Sequence, residues 1–252
     1  DVTTRNVTIS GSKSYDGNNI VSNSSISTFN NLVSGESLTI TGSGTISSGA
    51  VGSNKTISLG TLTLANGSGS ASNYNLSGGT ISVTRRVINL SGSKTYNGTT
   101  SITASDINTF GNIVTGETLS LSGTGSVSSS VAENNKTLTL GSIALSDGSG
   151  SVSNYTLSSG THQVNITRRS VDLSGTRVYD GSTDASASDL TTLGNLVSGE
   201  TLNLSGTGTL TSAAVGSDKS VSIGTLALSD GSGESDNYTL SGGTLELDVT
   251  TR

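Results

Sequence analysis

The stretch Ser10-Gly11-Ser12-Lys13-Ser14-Tyr15-Asp16-Gly17 returns 81 residues later as Ser91-Gly92-Ser93-Lys94-Thr95-Tyr96-Asn97-Gly98. After a further 83 residues it appears as Ser174-Gly175-Thr176-Arg177-Val178-Tyr179-Asp180-Gly181. The two extra residues come from His162-Gln163-Val164-Asn165, which lengthens the end of the second unit. Asp1-Val2-Thr3-Thr4-Arg5 is spelled again as Asp248-Val249-Thr250-Thr251-Arg252, so the chain begins and stops at the same phase of the repeat. It therefore reads as three units taken from a longer array: residues 1–5 closing a preceding repeat, then 5–86, 86–169 and 169–252. Chains with a long period usually set reach and spacing instead of performing one reaction.

Composition points the same way. Only 30% of the 252 residues are apolar and 12% are charged. Gly, Ser, Thr and Asn fill the rest, which alone would suggest disorder. The ordered placement of the apolar residues and the absence of proline argue for folded β domains with thin cores. The chain has no cysteine, so it has no disulfide framework, thiol nucleophile or cysteine–zinc site. That fits a bacterial surface protein that crosses an envelope unfolded, and the lack of Met fits an internal or processed fragment. No apolar run is long enough to span a membrane. The net charge of −6 is spread thinly, with no basic footprint for nucleic acid.

Within a unit, period-two alternation marks short strands at Val7/Ile9, Leu38/Ile40, Ile57/Leu59, Leu62/Leu64 and Ile81/Val83. Between Leu59 and Leu62 the spacing slips to three with Gly60 at the slip, and Gly141 and Gly224 repeat this, so a bulge or sharp bend is expected there. Ser25-Ile26-Ser27-Thr28-Phe29-Asn30-Asn31-Leu32 and its two counterparts place apolar residues at i, i+3 and i+6 behind a capping residue. A single helical or 3₁₀ turn, or else a plain loop, is expected there. At Ile81-Ser82-Val83-Thr84-Arg85-Arg86-Val87 one unit runs into the next without a linker. The expected fold is mainly β: three tandem small β-sandwich-like or β-rich domains in an elongated rod, with one short helical turn per repeat. The rival is a continuous β-solenoid, whose rungs would recur every twenty to thirty residues.

All eight aromatics fall in recurring slots: Tyr15, Tyr96 and Tyr179 in the first, Tyr74, Tyr155 and Tyr238 in the second, Phe29 and Phe110 in the third. The six tyrosines read as structural anchors, ring in the core and hydroxyl at the rim, and a ligand role is the alternative. His162 is the single histidine and has no counterpart in the other units, so neither a zinc site nor a Ser-His-Asp triad is built around it. Glu36, Glu117 and Glu200 recur in Val-Ser/Thr-Gly-Glu and read as turn caps, since no second acidic slot is filled three times to make a glycosidase pair. Asp147, Asp230 and Asp236 are the calcium candidates, in Gly-rich stretches lacking the spacing of an EF-hand. Lys55, Lys136 and Lys219 recur beside Asn73, Asn154 and Asn237, the pairing a Lys–Asn isopeptide crosslink would need. Asn-x-Ser/Thr sequons, as at Asn6 and Asn97, permit glycosylation without arguing for it. No catalytic residue and no cofactor is expected.

At Tyr15-Asp16-Gly17 and Tyr179-Asp180-Gly181, with Tyr96-Asn97-Gly98 departing at the middle residue, the chain resembles the YDG-type repeat of large bacterial surface exoproteins. Val33-Ser34-Gly35-Glu36, Leu204-Ser205-Gly206-Thr207-Gly208 and Asn73-Tyr74-Asn75-Leu76 extend the resemblance over essentially the whole chain. Such repeats occur in filamentous-haemagglutinin-like adhesins, many exported by a two-partner route. The resemblance implies an extracellular location and a tandem architecture, and offers no catalytic residues to carry over. The expected role is a non-enzymatic stalk that carries a binding tip away from a bacterial surface. Its partners would be neighbouring repeats of the same polypeptide, with a host or matrix glycan or protein met through another region, and the fragment itself monomeric. The alternative is a binding module whose repeats hold a glycan, protein or surface by many weak contacts. An ordered-water surface finds no support, because the Thr61-Leu62-Thr63 spacing becomes Ala144 and Ala227 in the later units.

Overall fold

The computed structural model describes residues 3–252, and these are built almost entirely of short strands and turns. By contacts the chain divides into two compact units. The first runs through Leu90 and adds Phe110–Ser122 and Ala144–Thr161. The second comprises Ser91–Thr109, Gly123–Ile143 and His162–Arg252. These units do not coincide with the sequence repeats, because the middle repeat gives part of itself to each.

In the first unit a four-stranded sheet has the order Ile26–Asn30, Arg5–Ser14, Tyr74–Thr84, Gly52–Thr56. The first and last strands of the repeat are its parallel central pair, and the outer strands run antiparallel to them. Alternation turns Val7 and Ile9, and Ile81 and Val83, into the interior. Leu38–Thr41 pairs with Thr63–Asn66 to form a second layer, and Leu38 meets Val7 and Tyr74 in a cluster that Phe29, Leu32 and Leu64 pack against. Burying each of these side chains contributes about 1.5–3 kcal/mol. In the second unit the corresponding sheet has the order Thr176–Val178, Glu246–Thr250, Gly216–Ser222, Thr207–Leu210, Asp184–Ser186. Its first and last strands are again parallel, and Leu173, Leu190, Leu247 and Val249 are buried.

These pairings overturn the solenoid alternative. Rungs of a solenoid stack parallel strands at short intervals along the chain. Here the parallel partners are the two ends of a repeat, as in Arg5 with Tyr74 and Arg169 with Tyr238, and the hairpins between them are antiparallel. The fold is a tandem series of β-rich domains made of several small sheets.

One local expectation needs correction, and a second is decided between its two alternatives. The segment holding Ile26, Phe29 and Leu32 is not a helical turn. A 3₁₀ turn, Asn23–Ser25, precedes it, and Ile26–Asn30 is a strand. The spacing of three arises because Ser10 pairs with Thr28 while the next residue, Gly11, pairs with Ile26. Ser27 is thus bulged out, and Ile26 and Phe29 are brought to one side. A second 3₁₀ turn, unforeseen, stands immediately before the second tyrosine slot at Ala71–Asn73, Val152–Asn154 and Ser235–Asn237. At Gly60, of the bulge and the sharp bend expected as alternatives, the chain makes the sharp bend: φ is +56° there, as at Gly141 and Gly224, and the Leu62 N–H donates to Leu59 O at 2.9 Å. Glycine adopts that conformation at no steric cost.

Gly11 explains why the signature opens with Ser-Gly. A Cβ at this position would lie 1.9 Å from Ser25 O, and the equivalents at Gly92 and Gly175 would lie 2.0 Å from Asp106 O and 1.8 Å from Asp189 O. The incoming strand crosses at backbone distance. Gly11→Ala is expected to lower stability by about 1–3 kcal/mol, the usual cost of forcing extra volume into a packed site, read as a fall in the urea unfolding midpoint.

Candidate functional site

The signature loop is first fastened to its own repeat. Lys13 Nζ donates to Asn18 O at 3.2 Å and Ile20 O at 2.8 Å and lies 2.8 Å from Asp16. Lys94 does the same with Thr99 O and Ser101 O, and Arg177 with Ser182 O and Asp184 O. Burial lowers the Lys94 pKa from its ordinary value, opposed by the charge of Asp106. The middle residue of the Tyr-Asp-Gly loop accepts the backbone N–H two residues on: Asp16 from Asn18, Asn97 from Thr99, Asp180 from Ser182. A side-chain carbonyl is all this turn requires, which is why Asn97 substitutes for Asp. With the loop held in this way, the tyrosine ring points out of its repeat.

There it meets the next repeat. Tyr15 donates its hydroxyl to Glu117 Oε1 at 2.5 Å, and Tyr155 donates to Glu117 Oε2 at 2.6 Å. The two rings stand edge to face, centroids 5.4 Å apart at 80°. In the second unit Tyr96 and Tyr238 hold the two oxygens of Glu200, each at 2.7 Å, with rings again 5.4 Å apart at 77°. One carboxylate thus clasps two tyrosines, one from its own repeat and one from the repeat before it. Hydrogen bonds to a charged acceptor contribute about 1.5–3 kcal/mol each, and an edge-to-face ring pair about 0.5–1.5 kcal/mol beyond its burial.

The Val-Ser/Thr-Gly-Glu motif positions that carboxylate. The Glu117 N–H donates to Val114 O at 3.0 Å to close a four-residue turn, and its third residue, Gly116, has φ of +88°, the geometry that favours glycine. The glutamates therefore sit in turns, as the sequence suggested, but their side chains serve the joint. The Val114 N–H donates to the Tyr155 hydroxyl at 3.3 Å, and the Val114 side chain sits against Gly17, where a Cβ would come within 2.9 Å. Arg86 adds a second fastening: it donates to Tyr15 O at 3.2 Å and grips Asn112 through O at 2.5 Å and Oδ1 at 2.8 Å. Arg169 repeats this with Tyr96 O and Asn195. A third comes from the 3₁₀ turn: buried Asn154 accepts the Val51 N–H at 3.0 Å, and buried Asn237 accepts that of Ala132 at 2.7 Å.

Burial first, and the bond to Glu117 second, push the Tyr15 and Tyr155 phenols up to about 12. The same causes in the same order raise Tyr96 and Tyr238. In the first repeat Tyr74 donates to Glu36 and accepts the Val33 N–H at 3.1 Å, and the bond to Glu36 raises its pKa. Of the six tyrosines, Tyr179 alone stands apart. It is 43% exposed, against 7% for Tyr15 and 5% for Tyr96.

The other candidates have local work. Asp147 Oδ1 accepts the Val152 N–H at 2.6 Å, and Asp230 Oδ1 accepts from Ser235 N and Oγ, bonds that lower the Asp230 pKa. Asn66 does the same for Ala71, so the slot asks for an oxygen acceptor and not for a charge. Asp236 is exposed and lies 3.8 Å from Arg168. Among the described residues no three acidic or histidine side chains are grouped to hold a metal ion. The lysines of the crosslink candidate bond elsewhere: Lys55 to Ser48 O, Lys136 to Glu133 at 2.7 Å, Lys219 to Ala214 O. His162 is buried at the start of the strand His162–Thr167.

A family model described as YDG domain matches residues 2–83, 82–163 and 161–245. No curated protein and no solved structure matches the chain.

Tyr96→Ala is expected to cost about 3–5 kcal/mol, whereas Tyr179→Ala in the same slot costs under about 1 kcal/mol; urea unfolding of the two variants checks the contrast. The raised phenol pKa values also set an alkaline limit. An unfolded tyrosine ionises near pH 10, and Tyr15 and Tyr155 hold their protons up to about 12. The stabilisation is therefore complete below about pH 10 and is lost as pH rises toward 12, because the unfolded chain releases its protons first. Unfolding midpoints measured across that window should fall, and should fall less steeply in a Tyr15→Phe/Tyr155→Phe chain.

Proposed function

The chain belongs to the YDG domain family, with three members in tandem, and on that footing we propose that it is a run of stalk repeats. In this reading it is part of a large secreted bacterial surface adhesin of the filamentous-haemagglutinin-like, two-partner kind, and projects a binding tip from the cell. The observation that carries the reading is the use made of the recurring polar and aromatic side chains. Tyr15, Glu117 and Tyr155, and again Tyr96, Glu200 and Tyr238, are engaged in joining one repeat to the next. The remaining recurrent groups close turns within a repeat, as Lys13 and Asp230 do. Side chains so engaged favour a non-enzymatic role.

The physical logic of a stalk supports it. Successive repeats meet through charge-assisted bonds and packed rings, with one residue, Arg85, between the strand Tyr74–Thr84 and the strand Arg86–Val87. A joint of that kind resists bending better than a Gly/Ser linker. An extracellular location agrees with a chain that gains its stability without cysteine. The partners in this reading are the neighbouring repeats of the same polypeptide, and the receptor is met by another region.

Whole-repeat deletion and addition in the parent protein, with adhesion measured, tests the proposal. A stalk predicts adhesion that depends on the number of repeats and survives replacement by an unrelated spacer of equal reach. Saturable binding of the purified three-repeat chain to cells or glycans, with competition against the parent, would overturn it in favour of a multivalent binding module.

A further inference from the structure

Two Asn-Gly pairs occur in the chain, Asn66-Gly67 and Asn97-Gly98. A glycine after asparagine carries no side chain to shield its backbone nitrogen, so that nitrogen can reach the asparagine Cγ and displace the side-chain amide. Both asparagines are exposed, and each stands in a slot where the other repeats have Asp: Asp147 and Asp230 for Asn66, Asp16 and Asp180 for Asn97. Their surroundings differ. The Gly67 N–H is engaged, donating to Gly69 O at 3.2 Å, and Asn66 Oδ1 accepts one bond, from Ala71 N at 2.8 Å. The Gly98 N–H donates to nothing among the described residues, and Gly98 is exposed. Asn97 Oδ1 accepts two bonds from one residue, Thr99 N at 3.1 Å and Thr99 Oγ1 at 2.9 Å. That hydroxyl in turn accepts from Lys94 Nζ at 3.0 Å. The lysine is buried and fixed by two further bonds, to Thr99 O at 2.8 Å and Ser101 O at 2.7 Å.

We propose that Asn97 is a site of self-modification, at which the Gly98 nitrogen attacks Asn97 Cγ and the residue ends as an acid without the help of another protein. A C–N bond forms between Gly98 N and Cγ. Gly98 N gives up its proton, and the side-chain nitrogen takes it and leaves as ammonia. Water then opens the five-membered imide. Cleavage of the bond to Cγ gives aspartate, and cleavage of the bond to the backbone carbon gives isoaspartate. Either way one water is consumed and one ammonia released, with no oxidation or reduction. During the attack negative charge builds on Oδ1, where the Thr99 N–H and O–H already point, the hydroxyl backed by the Lys94 ammonium. Donors fixed where charge develops lower the barrier. The aspartate product suits its place. Asp16 and Asp180 make the same turn in their repeats, and each faces the cation of its own loop, at 2.8 Å from Lys13 and 3.7 Å from Arg177. Among the described residues Lys94 makes no ion pair, and Asp106 acts on it only through space. Conversion supplies the missing carboxylate beside Tyr96, the tyrosine that Glu200 holds. This inference concerns the chemistry of one loop and stands apart from the stalk reading.

Incubating the whole three-repeat chain at mildly alkaline pH in heavy-oxygen water tests it, with peptide mass spectrometry reading Asn66 and Asn97 separately. Asn97→Asp supplies the standard for the aspartate product. The Asn97 peptide should lose its amide nitrogen and gain one heavy oxygen at least about tenfold faster than the Asn66 peptide. In concentrated urea the two rates should draw together, because the preference comes from the fold. Thr99→Val should slow conversion at Asn97 by about tenfold, less than the loss of an oxyanion donor costs an enzyme. Thr99→Ser keeps the hydroxyl and should restore the rate. Thr99 is exposed, so circular dichroism of both variants should match the parent. An Asn97 that stays an amide, equal rates at the two asparagines in the folded chain, or a Thr99→Val chain that converts as fast as the parent would overturn the inference. None of these results bears on the adhesion test of the stalk.

Discussion

Everything distinctive about the repeat follows from one carboxylate shared by two phenols. Glu117 is acceptor-only, and its two oxygens are filled by hydroxyls that reach it from opposite sides of a repeat boundary. The rings that carry those hydroxyls are buried, and the lower local dielectric beside them strengthens the bonds and makes each partner expensive to lose. The demand for that geometry then propagates outward. The carboxylate must stand at the end of a turn of fixed shape, hence Gly116 and the Val114 carbonyl that closes it. The incoming tyrosine must be presented on a loop that does not move, hence the lysine or arginine beneath it and the Asx turn behind it.

The compact units read the same logic at a larger scale. Glu117 and Tyr155 belong by sequence to the middle repeat, yet they lie in the unit that contains the first repeat. Glu200 and Tyr238 lie in the unit that holds Tyr96. The joint is thus as much a core as the interior of a repeat. This also explains a composition so poor in large apolar groups: part of the cohesion is carried by polar side chains fully engaged with one another, and Asn154 and Asn237 are buried on that basis.

Much of this was legible from residues alone. The period, the strand alternation, the three aromatic slots and the recurrence of Glu36, Glu117 and Glu200 are one-dimensional facts, and they deliver a tandem β fold. The clasp was not legible, because Tyr15 and Glu117 are far apart in sequence and nothing in spacing says that a tyrosine of one unit meets a glutamate of the next. A residue type filled in every repeat next to two tyrosine slots was the available signal. The stretch from Ile26 to Leu32 misled for a different reason. A bulge opposite Gly11 turns a spacing of two into three, and periodicity cannot tell a bulged strand from a helical turn. At Gly60 the slip in spacing left a bulge or a sharp bend open, and a left-handed turn residue supplies the bend.

Arg86, Asn112, Val114, Glu117 and Tyr155 recur at their own slots in the following repeat as Arg169, Asn195, Val197, Glu200 and Tyr238. The surface that the middle repeat offers to its predecessor is thus built from the same kinds of residue as the one that the third repeat offers to the middle one. The two joints are built from equivalent parts. A recombination that added or removed one whole period would therefore bring together the parts of a complete clasp at the new junction. Such a change of length, in a step of one repeat, would ask for no compensating mutation at the joint.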